Sequence, residues 1–374
     1  MLFPLSLAGA VTYRYLLKPL FFQFDPEWVH ERIVASGKML GSCWCVRKAL
    51  KSTLAYSDVS LMQNIQGVHF ENPIGLAAGF DYNAHLTQIL PSVGFGFGSV
   101  GTITNLSYGG NPRPMLGRLP RSKSLMVNKG FKNPGANLVS TKLAKLRFHY
   151  PVGISIGRSN TTTLLTQKQS IKDIIEAFTT FEIAGVKNAY YELNISCPNL
   201  FGDITFYPPK NLRELLVEIT KLKLKKPVFI KMPIEKSDTE TRAMLDVIVN
   251  FPIQGVIFGN LQKNRQDPSL NPEEVKKFDR GNFSGKPTFK RSNELIKIAY
   301  KQYGKKLTII GCGGVFGAED AYTKIKLGAS LVQLITGMIF EGPTLIGQIN
   351  YGLTKLLRAD GFTNIRQAIG VNNR

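Results

Sequence analysis

One short segment places a thiol, a hydroxyl and two carboxamides directly after an apolar run. Residues 192 to 199 read Glu-Leu-Asn-Ile-Ser-Cys-Pro-Asn; Ala189-Tyr190-Tyr191 extends the apolar run upstream, and Pro198 ends it. The cluster predicts a reaction site at the C-terminal end of a buried strand.

Two glycine-containing segments and one lysine indicate where an anion could bind. Gly311-Cys312-Gly313-Gly314 and Thr336-Gly337 each follow an apolar run, where backbone N–H groups and a helix N-terminus favour phosphate. Lys231 ends the apolar run Val228-Phe229-Ile230, and a buried lysine without a partner is costly. Either an anionic ligand or an internal salt bridge would supply that partner, and the sequence leaves both alternatives open.

These residues need a scaffold that brings strand ends together. After residue 66, eight short apolar runs alternate with helical patterns, which predicts a (β/α)8 barrel, also called a TIM barrel, with an N-terminal helical extension. The runs are 74–78, 98–102, 152–156, 189–194, 228–232, 255–258, 307–311 and 330–335. In such a barrel the polar residues that follow the strands meet at one rim. They are Asp81, Thr102, Ser155, Asn194, Cys197, Lys231, Asn260, Gly313, Gly314, Thr336 and Gly337.

We expect residues 1–66 to form a helical segment and residues 67–374 to form the barrel. The apolar run from Leu2 to Val11 is too short to span a bilayer, which takes about 20 apolar residues. Asp25 is a predicted N-cap with Pro26 at the first helical position. Two short amphipathic helices are expected, either in a membrane interface or packed on the barrel. Residues 1–24 contain no acid, which leaves a mitochondrial targeting role open.

The amino-acid composition limits the classes of protein and ligand that fit this chain. The 374 residues are 43% hydrophobic, which suffices for a large core, and the net charge of +21 comes from dispersed Lys and Arg. This positive field suits an anionic membrane, an anionic substrate or RNA. The four cysteines and four histidines form no Cys-x-x-Cys or His-x-x-x-His pattern, so no metal site is predicted.

With these positions identified, the chain resembles the membrane-associated, quinone-dependent family of dihydroorotate dehydrogenases over nearly its whole length. The matching segments are 22–27, 72–81, 94–97, 110–114, 194–199, 309–314, 328–333 and 341–343. The resemblance implies FMN at the barrel mouth, oxidation of dihydroorotate to orotate in pyrimidine synthesis, and quinone as electron acceptor. It also implies a peripheral position on a bacterial or mitochondrial inner membrane, through the N-terminal helices, and no nucleic-acid partner.

The resemblance assigns roles to individual residues. Cys197 is the implied catalytic base, and an ordinary thiol pKa of about 8.5 lies close enough to neutral pH that little tuning would be needed. The implied FMN positions are Ala78, Gly79, Asp81, Thr102, Ser155, Asn194, Lys231, Gly259, Gly285, Gly314, Ile335 and Thr336. The implied substrate positions are Tyr82, Asn128, Lys129, Gly130, Phe131, Asn194, Asn199 and Asn260.

The chain departs from the family pattern mainly at substrate positions. Cys197 stands where membrane-associated members carry serine, Tyr82 replaces a lysine, and Val127 replaces an asparagine. The segments Gly259-Asn260-Leu261 and 281–285 also differ from the usual motifs. A shift of one residue would let Asn128 and Lys129 compensate for the changes at the substrate. Two alternatives stay open: an FMN enzyme acting on another dihydropyrimidine or on RNA, and a divergent non-catalytic barrel with a structural role.

Overall fold

The computed structural model describes residues 3–373 and begins with a set of helices. Helix α1 (Phe3–Thr12) continues through a π-helical turn (Tyr13–Leu17) into α2 (Lys18–Phe21). Helices α3 (Pro26–Ser42) and α4 (Trp44–Leu54) follow. The segment is therefore more helical than the two short helices expected from the sequence, and α3 alone is 17 residues long.

Helix α3 begins as predicted and packs on the barrel through its small residues. The Asp25 carboxylate accepts the Trp28 N–H at 2.8 Å, and Pro26 occupies the first turn. A Cβ added at Gly37 would lie 2.5 Å from Leu86 Cδ2, so the glycine allows close contact with the barrel. Ile33 and Leu40 lie on the apolar face of α3 and remain 43% and 37% exposed. That part of the face points away from the core.

Eight parallel strands form a closed barrel, which confirms the predicted (β/α)8 fold. In all, thirteen strands are present in residues 3–373: β1 (Gln63–Ile65), β2 (Val68–Phe70), β3 (Ile74–Leu76), β4 (Phe97–Ile103), β5 (Leu116–Leu119), β6 (Ser124–Val127), β7 (Val152–Ile156), β8 (Tyr190–Asn194), β9 (Val228–Met232), β10 (Gly255–Phe258), β11 (Asn282–Phe283), β12 (Thr308–Cys312) and β13 (Leu331–Leu334). The barrel order is β3-β4-β7-β8-β9-β10-β12-β13, and β13 pairs with β3.

The remaining helices cover the barrel and continue the chain to its C-terminal region. They are α5 (Leu90–Val93), α6 (Ala136–Ala144), α7 (Gln167–Ile183), α8 (Pro209–Lys221), α9 (Asp238–Ile248), α10 (Pro272–Val275), α11 (Phe289–Tyr303), α12 (Ala318–Leu327), α13 (Thr336–Glu341), α14 (Leu345–Ala359) and α15 (Ile365–Ala368). Capping boxes fix the starts of α7 and α9, where Thr166 pairs with Gln169 and Ser237 pairs with Glu240.

Side chains fill the barrel interior below the strand ends. Phe97, Tyr190 and Phe229 pack edge to face, with ring centroids 5.7–6.3 Å apart. Above this aromatic layer, the buried Glu192 carboxylate accepts Gln333 Nε2 at 2.7 Å and the Ser99 hydroxyl. The hairpin β1–β2 packs Phe70 against the opposite end. The interior is thus a packed core, which leaves no room for a ligand inside the barrel below the rim.

A small antiparallel sheet stands over the rim. Strand β6 pairs with β5 and with β11, so that Val127 lies opposite both Leu116 and Asn282. This sheet carries segment 127–131 and segment 282–285 to the strand ends. The sequence did not predict it: β5 and β6 form a hairpin across residues 120–123, but β11 joins them from more than 150 residues further along the chain.

Most of the exposed large hydrophobic side chains lie in the N-terminal helices. In residues 8–54 they are Val11, Tyr15, Leu16, Leu17, Leu20, Phe24, Trp28, Ile33, Met39, Leu40 and Trp44. Among residues 3–373, none of the helices combines the length and apolar character that crossing a bilayer requires. The division of the chain at residue 66 stays a prediction.

Candidate active site

A single cavity at the C-terminal ends of the barrel strands brings together most of the residues singled out from the sequence. The space between its walls, including the opening to solvent, is about 1210 Å³. The predicted positions on its wall are Ala78, Gly79, Tyr82, Thr102, Lys129, Gly130, Phe131, Asn194, Cys197, Asn199, Lys231, Gly259, Asn260, Gly285, Gly314, Ile335 and Thr336.

Three predicted positions do not line this cavity. The Asp81 carboxylate accepts the backbone N–H groups of His85 at 2.7 Å and Leu86 at 2.8 Å, so it shapes the loop after β3. Ser155 lies behind the wall and bonds Thr102 Oγ1 at 2.9 Å. Asn128 turns away and accepts Asn111 Nδ2 at 3.0 Å, so the compensation suggested for Asn128 has no geometric support.

A hydrogen-bond chain fixes Asn194 at the end of β8. Its Nδ2 donates to Thr102 Oγ1 at 2.8 Å, and its Oδ1 accepts the Ser196 N–H at 3.1 Å and the Ser196 hydroxyl at 2.9 Å. Both ends of the carboxamide are therefore held. The chain also sets the start of the loop that carries Cys197.

The Cys197 thiol is harder to ionise than the sequence suggested. Cys197 is partly buried, and desolvation raises its pKa to about 11. The backbone N–H of Asn199 and the positive charges of Lys231 and Lys263 act in the opposite direction but do not cancel the desolvation. The expected pKa near 8.5 is therefore wrong, because burial was not visible in the sequence.

Two further carboxamides tie the Cys197 loop to its surroundings. Asn199 Nδ2 donates to the Val127 carbonyl at 3.2 Å, while its Oδ1 accepts Asn282 Nδ2 at 2.9 Å. Asn260 Nδ2 donates to the Ser196 carbonyl. The rim sheet and the loop after β10 thus hold the thiol in place on the cavity wall.

Lys231 is a buried cation at the end of β9. Its residue exposure is 6%, and no hydrogen-bond or ion-pair partner occurs for it among residues 3–373. An internal salt bridge is therefore absent for Lys231 within these residues, and an anionic ligand stays the predicted partner. The described cavity wall carries Lys129, Lys132 and Lys231 but no Asp or Glu, which suits a ligand with negative charge.

The glycine segments also face this cavity. Gly313 and Gly314 have φ values of 99° and 72°, a region that favours glycine, and added Cβ atoms would collide with Thr288 and Phe289. Nearby on the wall, the Ser284 and Thr336 hydroxyls lie 2.8 Å apart. Backbone N–H groups and hydroxyls in this arrangement can hold a phosphate.

Several residues at the edge of the cavity were not predicted from the sequence. Glu27 and His30 of α3 approach Tyr82 and the lysines at 129 and 132. The i,i+4 spacing of Glu27 and Glu31 places both carboxylates on one helical face, and this signal could have pointed to a cationic partner. Within residues 3–373 no group of three or more His, Cys, Asp or Glu side chains is arranged to hold a metal ion.

The fold and the sequence both match known proteins. Residues 60–357 match the family model described as Dihydroorotate dehydrogenase. A protein of Trichodesmium erythraeum named Dihydroorotate dehydrogenase (quinone) is 33% identical, with 97% of this chain and 99% of the relative covered. A protein of the same name from Mycobacterium ulcerans is also 33% identical, with 96% and 97% covered.

Solved structures agree with this match. The DHODH of Eimeria tenella in complex with ferulenol superposes with a TM-score of 0.81 at 28% identity, covering 94% of this chain and 96% of that one. The ligand-free form from the same organism gives a TM-score of 0.78, with 90% and 99% covered. The chain belongs to the dihydroorotate dehydrogenase family.

Proposed function

We propose that this chain oxidises dihydroorotate to orotate in pyrimidine biosynthesis, with FMN as cofactor and quinone as electron acceptor. The observation that carries the proposal is a single cavity in which Cys197 faces the partnerless cation Lys231 and no described acid. The relatives named Dihydroorotate dehydrogenase (quinone) align over nearly the full length, which supports the same substrate and acceptor here.

The cavity wall fits FMN on two counts. The glycines 313, 314 and 337, with the hydroxyls of Ser284 and Thr336, would hold the phosphate. The electron-rich end of the flavin ring would accept a hydrogen bond from Lys231 and compensate the charge of its ammonium group. When bound, FMN supplies the acceptor for the hydride that leaves the substrate. The other wall residues implied at the cofactor are Ala78, Gly79, Thr102, Asn194, Gly259, Gly285 and Ile335.

Cys197 is the proposed proton acceptor. Oxidation of dihydroorotate removes a proton from the carbon beside the ring carbonyl and a hydride from the adjacent carbon, which leaves a carbon–carbon double bond. As the thiolate, Cys197 takes that proton and becomes the neutral thiol. The Asn199 N–H and the nearby cations favour the thiolate, while burial opposes it. Deprotonation of Cys197 therefore limits the step at neutral pH.

The N-terminal helices are the proposed contact with the membrane and the entry for quinone. Exposed Phe24, Trp28 and Trp44 and their apolar neighbours would enter the headgroup region, while the net charge of +21 attracts anionic lipid. This would place α3 between the bilayer and the cavity, because His30 of α3 lines the cavity wall. The proposed position is peripheral, on a bacterial or mitochondrial inner membrane.

A second candidate keeps the flavin and Cys197 but takes another dihydropyrimidine. The observation that favours it is the cavity wall at Tyr82 and Val127. The phenol of Tyr82 replaces the lysine of the family pattern, and the isopropyl group of Val127 replaces the asparagine. An uncharged ring would need neither of the lost groups.

Steady-state oxidation distinguishes the two candidates. Purified holoprotein is supplied with a soluble quinone and either dihydroorotate or dihydrouracil, which lacks the carboxylate, and product absorbance is followed. We expect orotate to form and dihydrouracil to react far more slowly. Faster oxidation of dihydrouracil would favour the second candidate, and no oxidation of either compound would contradict both.

A further inference from the structure

A buried ion triad joins the N-terminal helix α3 to the cavity wall. Lys129 Nζ lies 3.1 Å from Glu27 Oε2, and Lys132 Nζ lies 2.9 Å from Glu27 Oε1. The Glu27 side chain is 4% exposed, and the two lysine side chains are 10% and 21% exposed. Because one carboxylate serves two ammonium groups, the triad carries one excess positive charge.

Carboxylates outside the triad do not fully balance its excess positive charge. Glu31 reaches Lys132 at 3.2 Å, but its side chain is 54% exposed and its effect is weakened by solvent. Lys129 has Glu27 as its one ion-pair partner within residues 3–373 and is the more deeply buried of the two lysines. An anionic group in the cavity would neutralise the triad at Lys129.

Aromatic rings set the direction of the Lys129 ammonium. Its Nζ lies 4.5 Å from the centroid of the Tyr82 ring, and His30 stacks on the same ring at 5.5 Å. Burial and Lys129 hold the pKa of His30 at about 3, so this imidazole is neutral and does not compete for an anion. Tyr82, His30, Lys129 and Lys132 all line the cavity.

The segment that carries Lys129 is also tied to the Cys197 loop. The Val127 carbonyl accepts Asn199 Nδ2 at 3.2 Å, and the Gly130 carbonyl accepts Asn160 Nδ2 at 3.0 Å. Asn160 Nδ2 in turn lies 3.5 Å from the Asn199 carbonyl. Cys197 and Lys129 line the same cavity. Movement of the triad would therefore change the position of the Lys129 ammonium relative to Cys197.

We propose that Glu27 is a positioning residue for substrate binding: it holds the Lys129 ammonium at the cavity wall, where Lys129 receives the substrate carboxylate. The inference rests on the proposed function, and it makes α3 part of the substrate site of the barrel. Substrate affinity thereby depends on how the N-terminal helices dock.

The protonation of Lys129 provides a specific readout. Burial lowers the pKa of Lys129 to about 8, although the attraction of Glu27 partly opposes this effect. Lys132 lowers the Lys129 pKa further, and Glu31 raises it. The protonated form prevails below about pH 8, so carboxylate affinity should be full there and fall as the pH rises. Without Glu27 the pKa of Lys129 drops, and the fall in affinity should begin at a lower pH.

The test is orotate binding to the holoprotein by isothermal titration calorimetry from pH 6 to pH 9.5. For the wild type we expect affinity to weaken roughly 10- to 30-fold between pH 6 and pH 9.5, because only about 3% of Lys129 stays protonated 1.5 pH units above a pKa of about 8. Glu27→Gln should move this midpoint to a lower pH. Glu31→Gln is the matched control, because it makes the same charge change one helical turn away, and its midpoint should stay close to that of the wild type.

Lys129→Arg gives an independent check, because guanidinium stays charged over this range. It should keep orotate affinity at pH 6 and remove the decline near pH 8. A purely structural role for Glu27 would lower affinity equally at every pH, and that result, or an unchanged midpoint, would overturn the inference. No orotate binding by the wild type at any pH would instead contradict the proposed function.

Discussion

Replacing Lys231 by methionine should have opposite effects on the stability of the apoprotein and on cofactor affinity. Methionine is similar in length but uncharged. Lys231 is 6% exposed and without a described partner, so the apoprotein carries the desolvation cost of an uncompensated ammonium. Removing it should raise the free energy of unfolding of the apoprotein by about 1–3 kcal/mol.

The same substitution should weaken FMN binding. A charge-assisted hydrogen bond contributes about 1.5–3 kcal/mol, which corresponds to a dissociation constant roughly 10- to 150-fold higher. Urea unfolding of the apoprotein measures the first quantity, and quenching of FMN fluorescence on titration with apoprotein measures the second.

Lys324→Met is the matched control. Lys324 is also fully buried, but its ammonium donates to Ser292 Oγ at 3.0 Å and Asn293 Oδ1 at 2.9 Å, away from the cavity wall. Its loss leaves two acceptors without a donor, so the apoprotein should become less stable by about 1–3 kcal/mol, with FMN affinity little changed. Unchanged FMN affinity in Lys231→Met, or a less stable apoprotein, would contradict the prediction that Lys231 is an uncompensated cation that FMN neutralises.

Two further predictions concern Cys197 and the N-terminal helices. Because burial raises the Cys197 pKa to about 11, the limiting rate of flavin reduction at saturating dihydroorotate should rise about tenfold per pH unit from pH 7 to pH 9. Cys197→Ala should retain flavin, lose this pH dependence and react roughly 10²- to 10⁴-fold more slowly, whereas a wild-type plateau below pH 9 would contradict the assignment. Trp28 and Trp44, the two tryptophans of the chain, are exposed, so anionic phosphatidylglycerol vesicles should shift tryptophan emission to shorter wavelength. Neutral phosphatidylcholine vesicles are the control, and no shift with either lipid would contradict the membrane proposal.

The barrel was predictable because each of its strands has a signal in the local sequence. Continuous apolar runs such as 152–156 and 228–232 become strands buried on both faces, and their spacing leaves room for one helix each. Most strand-end residues therefore also reached one cavity. Asp81 is the informative exception: a carboxylate at a strand end was expected to face the ligand, yet two backbone N–H groups of the following loop bind it instead.

The parts that could not be predicted depend on contacts between distant residues. The rim sheet pairs β6 with β11, and the ion pair of Glu27 with Lys129 joins residues 102 positions apart. The pKa of Cys197 likewise follows from desolvation, which depends on what packs around the thiol. For Lys231 the sequence left two alternatives, and the lack of a described ion-pair partner in the fold removed one of them.

Oxidation of dihydroorotate at this cavity can be tested by the absorbance spectrum of the purified holoprotein before and after anaerobic addition of dihydroorotate. We expect an oxidised flavin band that bleaches on addition of dihydroorotate and returns when quinone is added. A flavin band that dihydroorotate leaves unchanged, in protein that still binds FMN, would contradict the assignment of this cavity as a site of dihydroorotate oxidation.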